Sequence, residues 1–238
     1  MLCEDVGSDD GSDASDASDG DDGSEDDDDD ASDDGYGDLG DDYLLGDFGA
    51  ANRDALGAVV FVRTEDSGQG ADDLVGGNEG ADFLFGGFGA DLLEGHVGDD
   101  VLVGDYAELL GDPSADASLS TLGMGAGELE AANGDQIYGA QGHDLAFGGF
   151  GADMIDGAGD EDILVGDQGL ADWVGGALVF VRTADMRSGG SDSITGGDAR
   201  DVVIGGGAGD LLHGDDDRDV LIGDGAQVSL DRKSTTSE

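Results

Sequence analysis

Twelve aspartates stand at almost constant spacing along this chain, and that spacing carries chemistry. Asp72, Asp82, Asp91 and Asp100 form one series, Asp135, Asp144, Asp153 and Asp162 a second, and Asp192, Asp201, Asp210 and Asp219 a third. Asp42, in GDLGDDYLL, ends a truncated fourth. Each step within a series is nine residues except Asp72 to Asp82, which is ten and reads as one extra residue around Asn78 and Glu79. The cleanest unit, GGFGADLLE from Gly86 to Glu94, has its acid at the sixth place and Leu93 at the eighth. Glycine at places one, two and four lets the backbone take positive φ angles and turn without a Cβ clash. Such a turn can aim several carbonyls and one carboxylate at a common point. Coordination by oxygen alone, with about six to eight ligands in a flexible shell, suits Ca²⁺ rather than zinc or copper.

The strands that must hold these turns are written at the eighth place. Leu74, Leu84, Leu93, Leu102, Ile137, Ala146, Ile155, Leu164, Ile194, Val203, Leu212 and Leu221 are all apolar, and only Ala146 is small. Turn, strand, turn and strand make a coil of 18 residues, which predicts two parallel sheets back to back with carboxylate turns along both edges. A low-complexity disordered polyanion would have no reason to keep apolar residues at one fixed place. A longer period encloses the short one, because each series closes on a like phrase: YLLGD at Asp47, VLVGD at Asp105, ILVGD at Asp167 and VLIGD at Asp224. These phrases mark modules of about 60 residues. AVVFVRTED and ALVFVRTAD open the first and third modules and predict strands, each half of a hairpin leading into its ladder. The middle module has instead an Ala/Ser/Gly stretch from Tyr106 to Glu130, which predicts an irregular loop.

Composition narrows the partners. The chain has 59 acidic residues against 8 basic ones, a formal net charge of −51 in 238 residues, so a compact form repels itself unless a cation neutralises it. Nucleic acid is excluded as a partner because binding it needs Lys and Arg, and Lys233 is the only lysine. No run reaches the roughly 18 apolar residues of a membrane span, and MLCEDVGSDD lacks the basic and apolar segments of a secretory signal. Cys3 stands alone, so neither an intrachain disulfide nor a thiolate cluster is expected. Residues 1–34 hold 17 Asp or Glu and no Lys or Arg, which predicts a disordered, solvated tail. The partial EF-hand spacing of Asp30, Ser32, Asp34 and Gly35 lacks a flanking helix and has Asp41 at its twelfth place. His96, His143 and His213 fall at different places in their repeats with no HExxH companion, and read as exposed turn residues rather than zinc ligands. Trp173 reads as a packing residue of its hairpin. No nucleophile elbow, P-loop lysine or dinucleotide fingerprint is present, so no enzymatic activity is expected.

The repeat closely resembles the hemolysin-type (RTX-like) calcium-binding nonapeptide, GGxGxDxUx with U a large apolar residue, from roughly Gly37 to Asp224. The resemblance implies a parallel β-roll in which the place-six aspartate binds calcium with turn carbonyls, each ion lying between one turn and the turn two repeats later. Carried over, this pairs Asp72 with Asp91, Asp82 with Asp100, Asp135 with Asp153, Asp144 with Asp162, Asp192 with Asp210 and Asp201 with Asp219. Asp42 joins the metal-binding set as the end of the truncated ladder. Two pairs per module give about six calcium ions, with more if the solenoid runs unbroken through the inserts. Ala199 at a positive-φ place, and Asp217 with Arg218 in the last turn, should make the third module the weakest binder.

The expected fold is all-β: a parallel β-roll or β-solenoid of three four-repeat modules with hairpin or loop inserts. Residues 1–34 are its acidic tail, 35–105 the truncated repeat, hairpin and first module, 106–167 the loop insert and second module, 168–224 the hairpin and third module, and 225–238 a C-terminal tail. The expected function is calcium binding in a structural or interaction module of an extracellular or cell-surface protein, where millimolar calcium saturates sites of about 10⁻⁴ to 10⁻³ M. A protein or carbohydrate partner is compatible with it. Two other readings are the repeat portion of a larger secreted enzyme or toxin whose catalytic domain lies elsewhere, and a cation-buffering polyanion.

Overall fold

Strands of two to seven residues are too short to stand alone, so each must find hydrogen bonds in neighbouring strands. In the computed structural model, which describes residues 35–64, 70–121, 134–184 and 189–230, they do so in three seven-stranded sheets. Strands of the outer parallel sheet include Leu74–Glu79, Leu92–Val97, Gln136–Gln141, Met154–Gly159, Ser193–Gly197 and Leu211–Asp215. The middle parallel sheet holds Tyr43–Leu45, Phe83–Phe85, Val101–Val103, Leu145–Gly149, Ile163–Asp167, Val202–Gly206 and Val220–Asp224. The chain climbs by alternating between the two, and is an all-β parallel β-roll.

Place eight faces the space between these sheets. Leu84, Leu93, Leu102, Ile137, Ala146, Ile155, Leu164, Ile194 and Val203 form one buried stack with Val75. The ladder is in register, Leu84 beside Leu102, Ala146 beside Leu164 and Leu164 beside Val203. Leu102 is wholly buried while Leu221, at the last coil, is 47% exposed. Leu102→Ala is therefore expected to destabilise the calcium-loaded protein by about 2 to 5 kcal/mol in urea unfolding. Leu221→Ala should cost less than about 1 kcal/mol, as exposed changes do. Equal costs would mean that the stack is not the core.

The strand at Leu74 corrects the sequence reading. Val75, not Leu74, enters the stack, and Asp73, not Asp72, takes the sixth place. Asp73 to Asp82 is nine residues, so no extra residue exists around Asn78 and Glu79.

A third, antiparallel sheet covers the free face of the middle sheet, in place of the two-sheet roll expected. It joins the hairpins Gly49–Arg53 with Val59–Thr64, Ala107–Gly111 with Ala117–Thr121, and Gly169–Val174 with Ala177–Thr183, and ends on Gln227–Ser229. The second hairpin lies where an irregular loop was expected from Tyr106 to Glu130. Alternating burial of Ala117, Leu119 and Thr121 gives that small-residue strand one buried face. Residues 122–133, like the acidic tail 1–34 and the EF-hand-like spacing at its edge, lie outside the described residues. Consecutive hairpins pair with each other, Phe61 beside Leu110 and Ser118 beside Asp172, so the inserts make one continuous sheet.

A second core fills the space beneath the hairpins, with Phe83, Phe85, Val101, Val103, Phe147 and Val165 facing Val62, Leu109, Leu119, Trp173 and Val181. Trp173 packs against Phe83 at 6.2 Å between ring centroids. Burial on both faces explains why middle strands read FLF, VLV and LAF, apolar throughout, while the outer triplets LLE, QIY and MID are buried only at their central residue.

The roll does not break at the inserts. Leu92–Val97 pairs directly with Gln136–Gln141, and Ile163–Asp167 with Val202–Gly206. All three inserts leave from turns on the same edge, after Asp47, Asp105 and Asp167. The opposite edge carries uninterrupted turns.

Candidate metal centre

Each turn folds around its first glycine. A Cβ on Gly86 would be forced between the Gly104 carbonyl oxygen and Asp91 Oδ2, where no side chain fits. Similar crowding by a place-six carboxylate and the carbonyl of the next coil occurs at Gly77, Gly95, Gly148, Gly157 and Gly205. Carboxylate and carbonyl oxygens thus converge from successive coils on a space that only the absence of a side chain keeps open.

The place-six aspartates link these coils into two ladders. On the continuous edge the main-chain N–H of Asp42 donates to Asp82 Oδ1 at 2.8 Å, Asp82 to Asp100, Asp100 to Asp144, Asp144 to Asp162, Asp162 to Asp201 and Asp201 to Asp219. On the insert-bearing edge Asp73 donates to Asp91 at 2.9 Å, Asp91 to Asp135, Asp135 to Asp153, Asp153 to Asp192 and Asp192 to Asp210. Asp72 lies outside: it is exposed, and its Oδ1 accepts the Ala90 N–H at 2.9 Å. The sequence names both aspartates side by side, each followed two residues later by an apolar residue, and only the unbroken step of nine selects Asp73.

One oxygen of each inner carboxylate is left over. The Oδ2 atoms of Asp82, Asp91, Asp100, Asp135, Asp144, Asp153, Asp162, Asp192 and Asp201 are buried and accept no hydrogen bond. Burial, the first cause, with neighbouring carboxylates adding to it, pushes Asp82 up to about 7, Asp91 and Asp162 to about 8 and Asp153 to about 9. Asp135 is raised by the same two causes. Ionised and unpaired, such groups are costly to bury.

The donors fit a hard cation. No group of three or more His, Cys, Asp or Glu side chains among the described residues converges on one point, so an ion here must complete its shell from main-chain carbonyls. That oxygen-only set matches calcium. Of the three histidines only His143 is an exposed turn residue; His96, half-buried, and His213, exposed, lie instead in the outer-sheet strands Leu92–Val97 and Leu211–Asp215. The family model of the RTX calcium-binding nonapeptide repeat, in four copies, matches residues 76–105, 132–169 and 188–221. The repeats of this chain belong to that family. No curated protein and no solved structure matches the chain. The RTX segments carry the middle and outer strands, while the hairpins fall in the unmatched stretches between them. The first coil, also unmatched, places Asp42 and Asp73 as the RTX coils place theirs. The RTX repeats make this a calcium-binding structural module.

Sequence reasoning missed one further set. Asp47, Asp105 and Asp167 closed the repeating phrases, but their carboxylates also point into the insert-bearing edge. Each accepts a main-chain N–H from the next coil, from Phe88, Phe150 and Gly207 respectively. The signal was a Gly-Asp pair where the other turns of the same edge read Gly-Gly, at Gly86, Gly148 and Gly205.

Proposed function

We propose that the aspartates of the two ladders are the calcium ligands, and that the module is a calcium-stabilised structural or interaction unit of a secreted or surface protein. The observation that carries this reading is the row of buried Oδ2 atoms with no hydrogen bond, most of them beside a carbonyl of the next coil. Calcium bound there would balance two carboxylates and engage the turn carbonyls. Nine unpaired buried carboxylates, at several kcal/mol each, would outweigh a whole domain's net stability of about 5 to 15 kcal/mol. The fold therefore needs a counter-charge along its length. RTX repeat proteins are typically secreted, and millimolar extracellular calcium meets the affinity such modules have.

The ladders define six gaps between coils on the continuous edge and five on the other. A roll unbroken by its inserts thus offers up to eleven sites instead of six. The last gaps on each edge are the widest, with N to Oδ1 distances of 3.2 Å for Asp192 to Asp210 and 3.3 Å for Asp201 to Asp219. Asp210 and Asp219 are also less buried than the others, so these sites should fill last. Ala199, at φ 78°, and Asp217, at φ 71°, add backbone strain in the same region.

Calorimetric titration should return many ions; one or none would refute the assignment. Asp91→Ala and Asp153→Ala should each weaken binding at the two gaps they border by about tenfold or more. Asp28→Ala, with the same loss of charge, should alter only general screening. Equal effects at all three would favour a polyanion that holds cations loosely.

A further inference from the structure

Place five of the turn, the residue before each ladder aspartate, is written differently on the two edges. On the insert-bearing edge it is small after Asp72: Ala90, Gly134, Ala152, Ser191 and Gly209. On the continuous edge only Ala81 is small, and the others are charged or histidine, from Asp41 and Asp99 to Arg200 and Arg218. Neither the apolar stack nor the aspartate ladder needs side chains of that size and charge. They stand in a column, the Ala81 N–H donating to Asp41 Oδ1 at 3.0 Å and the His143 N–H to Asp99 Oδ1 at 2.9 Å.

Between this column and the hairpin turns lies a groove of about 1010 Å³. One wall is the first residue of five adjacent middle strands, Tyr43, Phe83, Val101, Leu145 and Ile163. The other is Val59, Trp173 and Leu178 of the hairpins. Tyr43 and Phe83 stack at 5.0 Å between ring centroids, and Trp173 stands across from Phe83. Four strand steps of about 4.8 Å make the groove about 19 Å long, the reach of about six extended residues. Tyr43, Ile163 and Leu178 are only half-buried, so apolar surface is still open to water there. Acids border it on both sides, Asp41 and Asp99 from the turns and Asp112 from the tip of the second hairpin. Each holds its Oδ1 on a main-chain N–H, for Asp112 that of Ser114 at 2.8 Å, and each Oδ2 remains available as an acceptor. Arg53 is the one permanent cation among the described residues that line the groove.

We propose that this groove docks an extended basic segment of a partner protein, with arginine or lysine on the acidic rims and the alternate apolar side chains on the aromatic floor. The proposal rests on the reading of the module as an interaction unit, and gives that unit its class of partner. An extended strand sends alternate side chains to opposite sides, which matches a groove with an apolar floor and acidic rims. A formal net charge of −51 repels acidic partners and draws basic ones from a distance. The groove adds apolar contact to that attraction, and so tells such a segment from any other cation. A neutral sugar would leave the rim carboxylates unused.

Trp173, the only tryptophan of the chain, lines the groove and reports its occupancy by fluorescence. The probe is an end-capped hexapeptide alternating arginine and leucine, titrated into the calcium-loaded full chain. It is expected to bind once per chain and to shift the Trp173 emission. Replacing its leucines by serine should weaken it about tenfold or more, and a peptide alternating glutamate and leucine should not bind. Asp41→Asn combined with Asp99→Asn should weaken it about fivefold. Asp198→Asn combined with Asp216→Asn, the same loss of charge at exposed acids outside the groove, should change it less than about twofold. The peptide series needs no substitution in the protein, so it decides even where a variant misfolds. Equal affinity for the leucine and serine peptides, or saturation with no change in Trp173 emission, would overturn the proposal and leave a polyanion that gathers cations. A neutral hexasaccharide that shifted Trp173 as the peptide does would give the groove to carbohydrate, and a dimer that the peptide dissociates would give it to a second copy of this chain. A chain that took up calcium and folded but bound no peptide would overturn the groove and keep the ladders; one that took up no calcium would remove the module on which the proposal rests.

Discussion

In chelator at neutral pH the chain is expected to lose most of its sheet signal, and to regain it cooperatively as calcium is added back. Ordering nine residues costs on the order of 9 to 18 kcal/mol of backbone entropy. One fully buried aliphatic side chain returns only about 1.5 to 3 kcal/mol. Outer-sheet repeats such as Leu92–Val97 bury Leu93 alone among their large apolar side chains, so they stand furthest from self-sufficiency. Middle-sheet repeats do better, since Phe83, Leu84 and Phe85 are all buried. The hairpin sheet stands on that middle sheet and has no other described layer to pack against. With the carboxylates ionised, repulsion along both ladders opposes the fold at each coil, and neighbouring coils must order together because each supplies the other's strand partners. An ion that binds only the folded chain shifts this balance by mass action. Magnesium at equal concentration should substitute poorly, because it demands a tight octahedral shell and gives up water reluctantly. The measurement is far-UV circular dichroism across a calcium titration; a spectrum already rich in sheet in chelator, and unmoved by calcium, would rule out this mechanism.

What could be read from the residues was what repeats locally. Aspartate at place six and an aliphatic residue at place eight fix a coil, its inward face and its two edges, and Leu84, Leu102 and Leu164 lie where that pattern puts them. The register failed once, at Asp72 and Asp73, because both neighbours satisfy the local chemistry and Leu74 and Val75 are equally apolar. The third sheet was harder to see for a physical reason. Its pairings run between inserts separated by whole ladders, Phe61 with Leu110 and Ser118 with Asp172, and no local period records them. One trace was present: FLF and VLV are apolar at three successive places, which a sheet with one face in water would not need. The Ala117–Thr121 strand was hidden by its composition, since Ala and Ser carry little strand preference, and its burial comes from the sheet it joins. The junction acids were visible as a phrase but not as buried acceptors, because whether Asp105 faces solvent or the main chain of the next coil depends on where the insert leaves the roll.

Acid should replace calcium in part. In calcium-free buffer the sheet signal is expected to rise as pH is lowered from about 8 to about 5, the opposite of ordinary acid unfolding. Burial raises the folded-state values of Asp82, Asp100 and Asp192 to about 7, of Asp91 and Asp162 to about 8 and of Asp153 to about 9, against 3.8 for a free side chain. Between 3.8 and those values the ion-free fold holds protons that the unfolded chain has released. By linkage its stability is greatest below the unfolded value and falls as pH rises through the folded ones. A neutral carboxyl no longer repels its neighbour one coil away, and its Oδ2 can donate a proton to a carbonyl instead of standing unpaired. Calcium has the reverse dependence, since it needs the ionised form, so its binding at neutral pH should release protons and its affinity should fall as pH drops below about 7. The two curves therefore cross: calcium holds the roll at pH 7 to 8, and protons hold part of it near pH 5. The lower limit stays above the sequence pI of about 4.1, which keeps folding distinct from isoelectric precipitation. An ion-free chain equally unordered at pH 5 and pH 8 would show that the ladder carboxylates are not what opposes the fold.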